Sequence, residues 1–276
     1  MIDAITSLLR CPLCGKPFTR RENSLVCGQR HCYDIARQGY VNLASDRKEK
    51  FYTRQLFESR ARVFESGLFA PVVDALSDAL TRFVPCAAPV VVDAGCGEGY
   101  YIRRVCPGRE MTRVGFDLSK DAVRLAARGD KEAAFFAADL AHIPLADGCA
   151  DAVLDVFTPA NYAEFGRILK PGGILLKLAP RAGDLRELRA AAQGLLRNAA
   201  YDGGQVDRYA REHMDVLAQQ TITYTQSVSP ELARELARMT PLLAGIDTDA
   251  LDLSGITQIT IDETLTIGTV KVRSIA

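Results

Sequence analysis

The chain has 276 residues, 48% hydrophobic and 25% charged, with no formal net charge. That is globular composition, large enough for one main core plus an appendage, and no run approaches the roughly 18 consecutive apolar residues of a membrane span. The opening "MIDAITSLLRCPLC" lacks a basic stretch followed by a long apolar one. A signal peptide is therefore not expected, a cytoplasmic location is, and clustered thiols there read as metal ligands more readily than as disulfides.

Charge is unevenly spread. Residues 1–62 hold 12 Lys/Arg against 6 Asp/Glu, leaving 22 against 28 for the rest. A basic front on an acidic body suits a polyanionic partner, with nucleic acid the leading class. The front also carries the densest motif. Cys11-x2-Cys14 and Cys27-x3-His31 are two chelating pairs whose spacing lets two knuckles close on one tetrahedral Zn²⁺. Cys32 competes with His31 for the fourth position, and Gly15 and Gly28 are the expected positive-φ residues of the two turns. A redox pair is disfavoured, because nothing places the Cys-x2-Cys at the start of a helix beside a strand. The zinc would hold Arg20, Arg21, Arg30 and Arg37 on a rigid platform facing phosphates, with Tyr33 and Tyr40 packed beneath the knuckle or stacked on a base. Cys86, Cys96, Cys106 and Cys149 read as small buried hydrophobes.

Residues 1–44 thus form a small zinc-binding module, and 45–85 a connector. The connector opens as a charged loop and turns helical, with Phe57, Ala61 and Phe64 on one stripe. A second helix follows Pro71, with Val72, Ala75, Leu76, Ala79 and Leu80 along its apolar face. From residue 86, strand-like and helix-like stretches alternate. Strands are expected at 90–93, 113–118, 133–140, 151–158 and 172–180, with Pro171-Gly172-Gly173 as a turn before the last. The order predicts an α/β fold with a doubly wound, mostly parallel sheet, Rossmann-like, closed by antiparallel edge strands from "TITYTQSVS" and "ITQITIDETLTIGTVKV".

"VVVDAGCGEGYY" puts Gly95, Gly97 and Gly99 between a buried strand and a helix. Glycines there allow a tight turn and close approach of a ligand to the backbone. A dinucleotide loop presents helix-start N–H groups to a pyrophosphate, but Asp93 and Glu98 flank this one and would repel phosphate. They suit a ligand carrying an ammonium and a sulfonium, namely S-adenosylmethionine. Asp117, at the end of the next strand, is placed for the ribose hydroxyls, and Asp139, after the third strand, for the adenine amino group; each has the competing reading of a strand-end helix cap. The expectation is a class I S-adenosylmethionine-dependent methyltransferase core.

"CPLC…VCGQRH…GYVNL", "ESGLFAPV", "DAGCGEGYY", "LKPGG" and "MTP" together resemble the bacterial 23S ribosomal RNA (guanine-N1)-methyltransferases over nearly the whole chain. The resemblance implies zinc on Cys11, Cys14, Cys27 and His31, S-adenosylmethionine at Gly99 and Tyr100, and a homodimer. It implies methylation of a guanine in a 23S rRNA hairpin beside the macrolide site and exit tunnel. Phe69 stands where the family shows a cofactor-contacting Tyr, Asp184 where His is expected, and "DVFTPAN" where an aromatic-Ala-Pro run is. Guanine N1 carries a hydrogen, so a base must take it, and the nucleotide must be unpaired or extruded to expose that edge. Asp155 is a candidate base, with a structural ion pair as its competing reading, and Phe157 a candidate stacking platform. A small-molecule methyltransferase with the zinc module as a lid, and a non-catalytic RNA-binding protein, are the alternatives.

Overall fold

The structure, a computed structural model, describes residues 2–44, 53–196 and 203–271. The charged loop expected from residue 45 falls outside these. In chain order, a short helix α1 (Ile2–Ile5) leads to β1 (Phe18–Arg21), β2 (Ser24–Cys27), β3 (Cys32–Asp34) and β4 (Val41–Asn42). Helices α2 (Arg54–Glu65) and α3 (Ala70–Phe83) follow. Then come β5 (Val90–Ala94), α4 (Tyr100–Arg104), β6 (Thr112–Asp117), α5 (Lys120–Gly129), β7 (Ala134–Ala137), β8 (Ala150–Val156), α6 (Tyr162–Ile168) and β9 (Leu169–Pro180). The last part is α7 (Arg186–Ala191), α8 (Gly204–His213), β10 (Met214–Ser227), α9 (Pro230–Met239) and β11 (Gln258–Val270).

Helix starts follow from local chemistry. The Thr53, Ser119 and Ser229 hydroxyls accept from the amides of Leu56, Ala122 and Leu232, and Pro230 supplies a pre-set φ at the first helical position. The strands between them are apolar on both faces, as a parallel sheet covered on both sides requires. They form one eight-stranded sheet in the order β10-β11-β9-β8-β5-β6-β7-β4, with β10 and β11 antiparallel at one edge. The expected α/β architecture with antiparallel edge strands is thus present. Two details differ. The third strand stops at Ala137 instead of running to 140. Pro171-Gly172-Gly173 lies within β9 as an irregularity, the register stepping from Ala150↔Leu169 to Ala152↔Ile174, because Gly172 absorbs the bend at φ +77°.

The N-terminal module is fused to this sheet. β1, β2 and β3 make a small antiparallel sheet, but β4 pairs in parallel with β7 (Val41↔Phe136, Asn42↔Ala137) and covers an edge that would otherwise be open. Leu9, Phe18, Leu25 and Val41 share one buried cluster with Val92, Phe116 and Phe136 of the sheet. The opposite face is covered by α2, α3, α4 and α9. Among the described residues no helix is long and apolar enough to cross a membrane.

Candidate metal centre and active-site cavity

The ligand atoms of Cys11, Cys14, Cys27 and His31 all lie within 4.8 Å of one another. His31 Nδ1 is 3.4 Å from both Cys11 Sγ and Cys27 Sγ, and Cys14 Sγ is 3.6 Å from Cys27 Sγ. A tetrahedron with Zn–S bonds of about 2.3 Å has edges of about 3.7 Å, and these three separations come within about 0.3 Å of that, so the four groups suit one Zn²⁺. Cys32 is exposed and outside the cluster, which leaves His31 as the fourth ligand. Two backbone turns build the site. Gly15 (φ +68°) closes the first by donating to the Cys11 carbonyl. In the second, Gly28 does not take the left-handed conformation expected of it. Arg30 does (φ +67°), because its amide makes the closing bond to the Cys27 carbonyl. Burial opposes ionisation of Cys27, but amides of the turn, Gln29 first, pull its thiol down to about 7, ready to ligate as thiolate. Tyr33 packs edge-on to Phe18 under the knuckle.

Arg21, Arg30 and Arg37 are exposed on this module. Arg20 is engaged: its guanidinium meets Asp3 at 2.7 Å and donates to the Glu22 carbonyl.

The second site is a cavity of about 1180 Å³ at the carboxyl ends of β5 to β9, where doubly wound sheets bind ligands. The glycine turn forms part of its wall. Gly95, Gly97 and Gly99 all have positive φ (+74°, +56°, +81°). A Cβ at Gly95 would lie 2.4 Å from Thr158 Oγ1, and one at Gly99 3.1 Å from the Phe135 ring. The turn is tied to the second strand end, since Asp117 accepts from the amides of Gly97 (3.0 Å) and Ser119 (2.8 Å).

Acidic groups crowd this end. Burial, then the neighbouring Glu98, push the Asp93 carboxyl up to about 8. Burial lifts Glu98 to about 7, with Arg60 offsetting it only in part. Asp93 Oδ2 and Glu98 Oε1 are buried with no hydrogen-bond partner among the described residues. Unpaired buried acceptors of this kind fit a cationic, phosphate-free ligand such as S-adenosylmethionine and not a diphosphate.

Asp93, Gly95, Asp117, Asp139, Phe69, Asp184 and Phe157 all reach the cavity wall. Asp139 also accepts from the Ala141 amide, and Asp184 from that of Asp262, burial lifting Asp184 to about 7. Gly97 and Gly99 shape the turn without facing the cavity. Two more of the expected residues lie off the cavity wall. The Tyr100 ring lies against Phe64 (centroids 4.6 Å apart), and its neighbour Tyr101 reaches the cavity instead. Asp155 is fully buried and set back from the wall, 2.8 Å from Lys177 Nζ, which also donates to the Thr158 carbonyl. Burial raises Asp155 to about 6 against the pull of Lys177, and the carboxylate holds the post-β8 loop instead of facing an incoming base. That loop carries Phe157 at φ +55°, the residue 40% exposed and its ring 6.4 Å from that of Phe69; a bulky residue held left-handed is stored strain of the kind found at functional sites.

Sequence reasoning missed Tyr101, Lys177 and Glu263. The last had a readable signal: Ile259, Ile261, Leu265 and Ile267 are the inward positions of β11, and Glu263 is the acid that interrupts them.

Known proteins align with both sites. Residues 9–45 match the zinc-ribbon family described as RlmA, N-terminal, and residues 91–173 a methyltransferase domain family. The 23S rRNA (guanine(748)-N(1))-methyltransferase of Streptomyces fradiae is 35% identical over 272 residues, spanning 95% of this chain and 97% of that one. YxjB of Bacillus subtilis, provisionally described as a 23S rRNA (guanine-N1)-methyltransferase, is 34% identical over 249 residues, 81% of this chain and 86% of that one. Among solved structures, a chain of the complex between the Haloferax volcanii Trm112 methyltransferase activator and a methyltransferase shares the fold. It has a TM-score of 0.51 at 19% identity, with 82% of this chain and all (100%) of that one covered. Likeness at this level, running through the metal ligands and the acid-lined glycine turn alike, makes the chain a member of the 23S rRNA (guanine-N1)-methyltransferase family, with a zinc-ribbon N-terminus and a class I S-adenosylmethionine-dependent core.

Proposed function

We propose that this protein methylates N1 of one guanine in a 23S rRNA hairpin beside the macrolide site and peptide exit tunnel, acting in the cytoplasm as a homodimer. Residues 1–44 engage the RNA, 45–85 connect, and 86–276 carry the reaction. The observation that carries this reading is the shared core: the zinc module and the sheet bury the same apolar cluster, so its exposed arginines stand in fixed relation to the cavity.

S-adenosylmethionine supplies an electrophilic methyl on a positively charged sulfur. Asp93 and Glu98 would settle its positive charge, Asp117 its ribose hydroxyls and Asp139 its adenine amino group. Phe69 and Asp184 stand on the same wall. The chain's own contribution is then positional: holding nucleophile and methyl in near-attack geometry, which supplies much of the acceleration of a displacement. The target guanine is extruded into the cavity, where Phe157 stacks on it. Arg21, Arg30 and Arg37 meet phosphates.

Mass mapping of modified nucleosides in rRNA from cells with and without the protein tests this. N1-methylguanosine is expected at one hairpin only when the protein is present. Unchanged rRNA, or tritium from labelled donor entering a metabolite extract and not RNA, would end it. Light scattering across a concentration series tests the dimer.

A further inference from the structure

Guanine N1 methylation needs a group that takes the N1 proton, and Asp155 is pinned behind the wall by Lys177. Glu263 of β11 has the opposite situation. It lines the cavity, its side chain sits on the apolar face between Ile261 and Leu265, and it is 0% exposed. Neither carboxylate oxygen has a hydrogen-bond partner among the described residues. The charged groups acting on it are Asp184 and Asp262, both acids, and it in turn acts on the phenols of Tyr101 and Tyr224. No cation in that set compensates it. A buried carboxyl with two open acceptors is expensive in a packed core, and a ligand offering two adjacent donors would settle it.

The neighbouring surface says which ligand. Phe157 lies 6.4 Å from Phe69 and 6.5 Å from Tyr101, centroid to centroid, so three rings bound this end of the cavity. Flat π-faces suit a nucleobase. Among the four RNA bases, only guanine presents two neighbouring N–H donors, N1–H and N2–H, on its Watson–Crick edge, and a carboxylate accepts such a pair in bidentate fashion.

Resting on the methylation reading above, we propose that Glu263 is the catalytic residue that reads the guanine: its two oxygens accept from N1–H and N2–H, and it takes the N1 proton as methyl transfer proceeds. The N1–H bond breaks with its proton passing to Glu263. The electron pair left on N1 forms the N1–C bond to methyl, and the C–S bond of the donor breaks with its pair staying on sulfur, which becomes a neutral thioether. Glu263 then returns the proton to solvent. Burial raises its proton affinity well above that of an ordinary glutamate, which strengthens it as a base once a cation in the cavity favours its ionised form.

The test uses the full-length zinc-loaded protein and the mapped 23S rRNA hairpin, with guanosine or inosine, which lacks the N2 amino group, at the target. Glu263→Gln is nearly isosteric and cannot accept the proton. It is expected to lower single-turnover methyl transfer at least about 100-fold, while calorimetry gives donor affinity within about threefold of wild type. The wild type is expected to bind the guanosine hairpin about tenfold tighter than the inosine one, the worth of one charge-assisted hydrogen bond, and Glu263→Gln to erase that preference. A variant rate within about threefold of wild type would overturn the proposal. So would donor affinity falling as steeply as the rate, which would assign Glu263 to the donor's own pocket. Methyl placed by the wild type anywhere but guanine N1 would instead sink the proposed function, whatever the variant does.

Discussion

Both sites of this protein crowd anionic side chains together, and they differ in what those groups wait for. In the N-terminal module four ligand atoms lie within 4.8 Å of one another, all from residues 11–31, an arrangement closed around a single small dication. In the cavity Asp93 and Glu98 crowd beside the glycine turn while Glu263 comes from a distant strand, and all three keep acceptors that are unpaired among the described residues beside a large space. The first arrangement would be completed by one ion; on the proposed function, the second awaits a large cationic ligand and a donor-bearing base. A short chelating motif can therefore be built by one stretch of chain, whereas a two-substrate cavity needs the whole sheet.

Removing a metal ligand tests how separable the two sites are and carries the largest expected effect. Cys14→Ser should release the zinc, read as metal content falling well below one per chain. Structural zinc contributes on the order of 10 kcal/mol of apparent binding energy in finger peptides. Since the module shares a buried cluster with the sheet, the melting temperature of the whole protein should fall, and amide exchange in β4 and β7 should accelerate. Donor affinity, measured below that transition, should stay within about threefold because the cavity wall contains none of the ligands. RNA binding should be lost. Stoichiometric metal in the variant would refute the ligand assignment.

Next in size is a buried acid that already has its partner. Lys177→Met leaves Asp155 buried without its cation, so the carboxyl must stay charged at a cost or take up a proton, and breaking one side of a buried ion pair typically costs about 3–5 kcal/mol. Denaturant unfolding should show a loss of that order, and Asp155→Leu combined with Lys177→Met should recover most of it. The double variant should still transfer methyl slowly, because Thr158 loses the Lys177 bond that holds its loop. A double variant as unstable as the single one would mean that Asp155 is not what Lys177 serves.

The same contrast explains what could be read from sequence. The metal ligands were legible because chelation by spacing is local, although placing the left-handed residue of the second turn at Arg30 instead of Gly28 needed the closing hydrogen bond. The glycine turn and Asp117 were legible from strand–turn–helix order. Tyr100 and Tyr101 are adjacent on a helix about 100° apart around the axis, and nothing in the local pattern says which one faces the cavity. Asp155 read as base or ion pair because its partner Lys177 sits 22 positions away on the next strand. Glu263 interrupts an apolar alternation, but that face becomes a cavity wall only once β11 lies beside β9, with Glu263 opposite Pro180. A two-residue strand such as β4 has no period to read.

Protonation gives a smaller effect with a definite sign. With Asp93 at about 8 and Glu98 at about 7, the ligand-free cavity holds protons at neutral pH. A cationic donor favours the ionised forms, so its affinity should strengthen from about pH 6 to about pH 8 and level off above, by at most about tenfold per pH unit for each group. Calorimetry in buffers of different ionisation enthalpy should detect proton release on binding near pH 7. The fold itself should respond in the opposite direction. Both carboxyls bind protons more tightly folded than unfolded, so their contribution to ligand-free stability declines as pH rises between about 4 and about 8. Affinity that is flat across that range would mean the acids do not meet the donor's charge.

The smallest effect separates arginines on one module. Arg37 is exposed, while Arg20 already meets Asp3 at 2.7 Å and the Glu22 carbonyl at 2.8 Å. A phosphate contact releases condensed counterions, so losing one contact should reduce the slope of log affinity against log salt by about 1. Arg37→Ala is expected to do this for target and unrelated RNA alike, since phosphate contacts carry no base identity. Arg20→Ala should change the slope less, because its guanidinium must leave Asp3 before it can reach a phosphate. Equal slopes for the two variants would mean that the module meets RNA by overall charge; unequal ones would mean that zinc holds a defined set of cations in register, the local precision that the comparison with the cavity assigns to it.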